Sequence, residues 1–150
     1  RMLVERPAYE AAVETARRVA EATRVGPAAE AGDHIGPVVN ARQWEHVQGL
    51  IQKGIEEGAR LVAGGPGRPE HLNRGFFVRP TVFADVRPGM SVERIEVFGP
   101  VLSMIPFDTE EEAVAIANDT AYGLTNYVQS GDEALGLRRV KVTVNFDAPD

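Results

Sequence analysis

The side chains of this sequence whose types and spacing best suit chemistry lie in Glu96-Val97-Phe98-Gly99-Pro100. On an extended segment, residues two apart share a face, so Glu96 and Phe98 would project side by side. One surface would then offer an ionisable hydrogen-bond acceptor next to a flat apolar wall. That pairing suits a polar ring ligand, and it also suits an ordinary strand edge. The Gly-Pro break follows at once and leads into the apolar run Val101-Leu102-Ser103-Met104-Ile105.

Other chemistry is sparse. The chain has no cysteine, which excludes disulfides, thiolate metal ligands and a cysteine nucleophile within it. No Gly-x-Ser-x-Gly elbow is present, and no serine stands in the setting of an activated nucleophile. His34, His46 and His71 are twelve and twenty-five residues apart, without a carboxylate or second histidine at metal-ligand spacing, so no metal site is expected. Gly64-Gly65-Pro66-Gly67 lacks the Lys-Ser/Thr of a phosphate loop and the spacing of a dinucleotide fingerprint. It reads as a surface turn.

The composition sets limits on partners. At 150 residues, with 43% apolar and 25% charged residues, the chain has the make-up of a globular domain with a core. A net charge of −6 and a pI near 5.1 provide no electrostatic footprint for nucleic acid or for an anionic membrane surface. No apolar run approaches the roughly 20 residues that span a bilayer, and no signal-peptide pattern opens the sequence. A soluble, cytoplasmic protein acting on small molecules or bound to protein subunits is the expectation.

The elements that must position the 96–98 stretch follow from periodicity. Met2-Leu3-Val4 reads as a short buried strand. Pro7 then suits the first turn of a helix whose apolar positions are Tyr9, Val13, Ala16 and Ala20. Residues 24–36 are rich in Gly, Pro and Ala and read as a loop. Asn40 is an N-cap candidate for a helix with Trp44, Val47, Leu50, Ile51 and Ile55 inward, which Gly58 ends. A strand is expected at 60–63. Phe76-Phe77-Val78 and Thr81-Val82-Phe83 flank Pro80, which predicts an edge strand or two short strands around a bend. After the strand at 101–105, Thr109 and Glu112 have capping-box spacing, and Glu110, Glu111 and Glu112 sit at the positive end of the helix that follows. That helix turns Ala113, Ile116 and Ala117 inward and stops near Asn118. A turn, a strand over 124–128 and a helix over 133–140 follow. Alternating strands and helices predict an α/β fold with a largely parallel sheet flanked by helices.

Several motifs stand in a telling order: Gly36-Pro37, Gln43, Gly58-Ala59-Arg60-Leu61 with Gly64-Gly65, Gly75-Phe76-Phe77-Val78-Arg79-Pro80-Thr81-Val82, Glu96-Val97-Phe98-Gly99-Pro100-Val101 and Asn118-Asp119-Thr120-Ala121-Tyr122-Gly123-Leu124. Together they resemble the aldehyde dehydrogenase superfamily, from Arg1 to about Asn145. The resemblance implies a fragment of that family's catalytic domain and, for the intact enzyme, oxidation of an aldehyde to a carboxylic acid with NAD or NADP. It also implies a homo-oligomer. In the family a cysteine thiolate attacks the carbonyl, backbone and asparagine donors hold the oxyanion, and a glutamate activates water. The resemblance puts the nucleophile a short way before Arg1, and the base, the asparagine and the nucleotide-binding fold further upstream. No catalytic residue and no cofactor-binding domain are therefore expected in this chain, and the chain alone is expected to be inactive. A non-catalytic binding or assembly module that kept the fold is the alternative.

For residues that are present, the resemblance implies cofactor contacts. Glu96 matches the glutamate that accepts hydrogen bonds from the nicotinamide ribose, and Phe98 the aromatic residue beside the nicotinamide. Gln43 matches a position that can also reach the ribose. His46 stands where the family often has a basic residue, so a contact there would depend on its protonation. Residues 118–124, Pro80-Thr81 and Trp44 are read as architecture. The resemblance also implies a strand over 142–145, and the connection between Arg139 and Val142 that leads to it is shorter than the family pattern.

Overall fold

A computed structural model describes residues 1–123, 125 and 127–130. The chain divides into two compact units, residues 1–106 and 107–150. The first unit is built on a four-stranded sheet of order β1-β4-β3-β2. Its elements are β1 (Met2–Glu5), α1 (Arg6–Ala22), α2 (Ala41–Glu56), β2 (Arg60–Ala63), β3 (Thr81–Ala84), α3 (Ser91–Arg94) and β4 (Val101–Phe107). The central pair β3 and β4 is parallel, with Thr81 opposite Val101 and Phe83 opposite Ser103. β2 adds antiparallel to β3, with a slip in register between Leu61 and Ala63. The expected α/β class holds, as a mixed sheet flanked by helices.

Alternation along β3 sorts its residues between the two helical layers. Val82 and Ala84 join Val4, Tyr9, Val13, Ala63 and Met104 in a core under α1. Phe83, fully buried, lies within van der Waals reach of Gly54 on α2. The Tyr9 hydroxyl fastens α1 to the sheet: it donates to the Met104 carbonyl at 3.2 Å and accepts the Asp85 N–H at 2.6 Å. Asp85 needs that anchor, because its φ of 54° lies in the left-handed region that non-glycine residues rarely adopt.

α2 forms as its sequence dictates. The Asn40 Oδ1 accepts the Gln43 N–H at 2.9 Å, satisfying one of the donors a helix start leaves free. Val47, Leu50, Ile51 and Gly54 are buried, with Ile55 and Trp44 only partly so. The Trp44 indole donates to the Phe77 carbonyl at 2.8 Å, and the Arg68 guanidinium stacks 4.4 Å above its ring.

Three expectations need correction. β3 is an interior strand, not an edge or a broken pair: Pro80 precedes it, so the missing N–H falls outside the ladder, and Thr81 N donates to the Pro100 carbonyl at 2.9 Å. Phe76-Phe77-Val78 forms no strand. In β1 only Val4 is buried, and Met2 is 40% exposed, as befits the sheet's outer position.

In the second unit, α4 (Glu110–Asn118) starts at Thr109, whose Oγ1 accepts the Glu112 N–H at 3.2 Å. The Glu112 carboxylate reaches back to the Asp108 N–H at 2.7 Å, one residue beyond the expected box. Ile116 is buried, and Ala113 and Ala117 are partly so. Of the strand expected over 124–128, Leu124 and Asn126 lie outside the described residues. The helix over 133–140 and the strand over 142–145 lie wholly outside them. Among the described residues, no helix is long and apolar enough to cross a membrane, and no His, Asp and Glu cluster could hold a metal.

Candidate functional site

The segment 95–100 hangs between α3 and β4, and its position is set by contacts on both sides. Glu57, the C-cap of α2, receives the start of α3: its carboxylate accepts the Ser91 N–H and the Ser91 hydroxyl, each at 2.6 Å. Those bonds, the hydroxyl foremost, hold the Glu57 carboxyl below its ordinary range. The Ser103 hydroxyl of β4 donates to the Val92 carbonyl at 2.7 Å, so α3 is tied to the sheet as well. Sequence reasoning missed α3 because it is a single turn without apolar periodicity. Its partner Glu57 lies thirty-four residues away, beyond any local motif.

Beyond α3 the burial alternates. Glu96 is exposed, Val97 is 9% exposed and Phe98 is 73% exposed. The buried valine anchors the segment, and both residues singled out in the sequence face solvent. The reason differs from the one the sequence suggests. Phe98 has φ 54°, so the chain is not an extended zigzag at this point and the shared-face argument does not carry over.

What holds Phe98 in that conformation is Gln43. Its Nε2 donates to the Phe98 carbonyl at 2.9 Å and to the Val97 carbonyl at 3.3 Å. Gln43 is therefore a clamp between α2 and the segment. Gly99 then lies against α2 so closely that a Cβ would stand 2.9 Å from the Val47 Cγ2. His46, one helical turn beyond Gln43, is exposed. No hydrogen bond or ion pair to another described residue occupies the Glu96 carboxylate.

Two cavities lie elsewhere in this unit. One of about 740 Å³ is an apolar groove between α1 and residues 99–102. The other, of about 560 Å³, is bounded by residues 20–27, His34, His71 and Arg79. Neither is lined by Glu96 or Phe98. The histidines in the second are engaged with the backbone: His34 Nε2 donates to the Pro27 carbonyl at 2.9 Å and His71 Nε2 to the Val25 carbonyl at 3.0 Å. As a chemical surface, then, the 95–100 segment offers an uncommitted acceptor and an exposed ring, both on a backbone that is held from behind.

Known proteins resemble the chain over most of its length. The aldehyde dehydrogenase of Bartonella henselae is 56% identical and superposes with a TM-score of 0.90 over 95% of this chain and 30% of its own. A Mycobacterium tuberculosis aldehyde dehydrogenase complexed with NAD+ is 50% identical over 89% of this chain and 28% of its own, with a TM-score of 0.84. An aldehyde dehydrogenase of Pseudomonas syringae, crystallised as a mutant with NAD+ and octanal, is 45% identical over 90% of this chain and 28% of its own, with a TM-score of 0.86. The chain spans about a quarter of the length of the curated relatives it matches, 23% and 28% in two of them. The model of the aldehyde dehydrogenase family matches residues 1–143, and the chain belongs to that family.

Proposed function

We propose that this chain is part of an NAD- or NADP-dependent enzyme that oxidises an aldehyde to a carboxylic acid, and that it supplies the nicotinamide-ribose side of the cofactor pocket. The observation that carries the reading is the pair Glu96 and Phe98, both exposed on a segment fastened by Gln43 and by the packing of Gly99 on Val47. The residues present fit a nicotinamide nucleotide. Two carboxylate oxygens suit the vicinal hydroxyls of a ribose, and an exposed ring suits the face of a planar heterocycle. When bound, that cofactor supplies the hydride acceptor.

The roles of this chain's residues are geometric. Glu96 accepts hydroxyl hydrogen bonds and so fixes the ribose. Phe98 limits where the ring can lie. Gln43 holds the backbone that carries both. His46 extends the same helix face one turn on, where it can also approach the cofactor. Holding reacting groups in register lowers a barrier without any bond being made by these side chains.

Bond-making belongs to residues outside these 150, since the chain has no cysteine. The family resemblance supports a thiolate nucleophile, oxyanion donors and a glutamate base elsewhere in the polypeptide. It also supports a cytoplasmic homo-oligomer. Assays of the 150-residue chain and of the whole polypeptide, with NAD+ or NADP+ and a short aliphatic aldehyde, test the division of labour. The whole polypeptide should reduce the cofactor and the chain alone should not. Turnover by the chain alone above background would refute it, and an inactive whole polypeptide would favour a non-catalytic assembly module.

A further inference from the structure

The segment carrying Glu96 and Phe98 begins at a buried charge. Glu93, in the single turn α3, has a side chain only 1% exposed. Its carboxylate accepts Arg1 Nη1 at 2.6 Å and the Gly89 N–H at 3.0 Å, and Arg94 Nε lies at 3.3 Å. Arg1 stands just before β1, ninety-two residues away in sequence, and its side chain is itself largely buried. An ionised carboxylate in such a place is tolerated because it is paired and hydrogen-bonded, and its geometry is correspondingly exacting.

Its location gives the pair a role. Glu93 closes the turn that starts at Gly89, and the helix hydrogen bond from Ile95 N to the Ser91 carbonyl at 2.9 Å directs the chain out of α3. Glu96 follows three residues after Glu93. Glu57 and Ser103 hold the beginning and middle of α3. Glu93 with Arg1 holds its end, the part nearest the exposed pair. We infer that Glu93 is a positioning residue for the cofactor wall, acting through Glu96, and that Arg1 is its obligatory partner. This rests on the reading of Glu96 and Phe98 as the nicotinamide-ribose side.

The test uses the whole enzyme that carries this sequence, with NAD+ as the varied substrate. Glu93→Gln should raise KM for NAD+ by roughly three- to tenfold, as expected when the binding-competent orientation falls to a fraction of the population. KM for the aldehyde and kcat at saturating NAD+ should stay within about twofold, a split that general loss of folded protein does not produce. Arg1→Met should be worse than Glu93→Gln because it removes the shortest contact of a buried carboxylate and leaves that charge under-compensated, and the double variant Arg1→Met/Glu93→Gln should recover toward the Glu93→Gln value. Should Glu93→Gln fail to fold, Arg1→Lys keeps the charge, and a graded rise in the same KM is expected from it. An unchanged KM for NAD+ in Glu93→Gln, with Glu96→Gln clearly impaired, would overturn the inference alone. An unchanged KM in both would overturn the underlying reading with it.

Discussion

The contact between Gly99 and Val47 makes a prediction in which two effects oppose each other. An ideal Cβ on Gly99 would lie 2.9 Å from the Val47 Cγ2 and 3.3 Å from Cγ1, whereas ordinary contacts begin near 3.4 Å. A gap of about half an ångström must then open between the segment and α2. Val47 is fully buried and cannot swing away. Overpacking of this kind costs about 1–3 kcal/mol. Against it stands the loss of unfolded-state freedom in Gly99→Ala, which favours folding by about 0.4–1 kcal/mol. The steric effect wins, so Gly99→Ala should lower stability by about 0.5–2 kcal/mol. Val47→Ala removes two buried carbons at about 0.8 kcal/mol each and leaves a cavity, for a cost of about 2–3 kcal/mol. The double variant removes the clashing methyls and partly fills the space with the new one. It should be no less stable than Val47→Ala alone, a favourable coupling at least as large as the Gly99→Ala cost, about 0.5–2 kcal/mol. Equilibrium urea unfolding of the four proteins measures this directly. Additivity to within about 0.4 kcal/mol would refute the claimed contact.

Three further outcomes follow from single contacts. Tyr9→Phe leaves the Asp85 N–H without its acceptor at a left-handed residue, and should lower stability by about 1–3 kcal/mol by urea unfolding. Gly64→Ala would bring a Cβ to within 2.3 Å of the Pro80 carbonyl at a φ of 76°, and should abolish soluble expression or cost more than about 3 kcal/mol. Glu57 has a folded pKa below its unfolded value near 4.5, so its contribution is complete above that pH and lost as the pH falls through the lower folded value. The stability difference between the wild type and Glu57→Gln should therefore be constant from about pH 6 to 8 and narrow as the pH falls below 4.5.

How much was legible in the sequence depends on the range over which each cause acts. Asn40 as a cap, the Val47-Leu50-Ile51 face and the Thr109 cap are local, set by residues within a turn or two, and each appears where the pattern puts it. The place of β3 in the sheet was not legible, because an interior strand is defined by which neighbours find it. Pro80 misleads only when read without knowing that the ladder starts after it. The exposure of Glu96 and Phe98 was foreseen, but the cause was not. A phenylalanine in the left-handed region cannot be inferred from its own type, since a clamp from Gln43, fifty-five residues earlier, holds it there. Buried Glu93 escaped for the same reason: its partner stands at the other end of the unit.

The central claim is that Glu96 accepts hydrogen bonds from the cofactor ribose. The most direct test is Glu96→Gln in the whole enzyme, with initial rates measured against NAD+. Replacing a charged acceptor by a neutral amide should forfeit about 1.5–3 kcal/mol of cofactor interaction, a rise in KM for NAD+ of roughly 10- to 100-fold, with KM for the aldehyde little changed. A KM for NAD+ within about twofold of the wild type, in a variant that folds normally, would contradict the account.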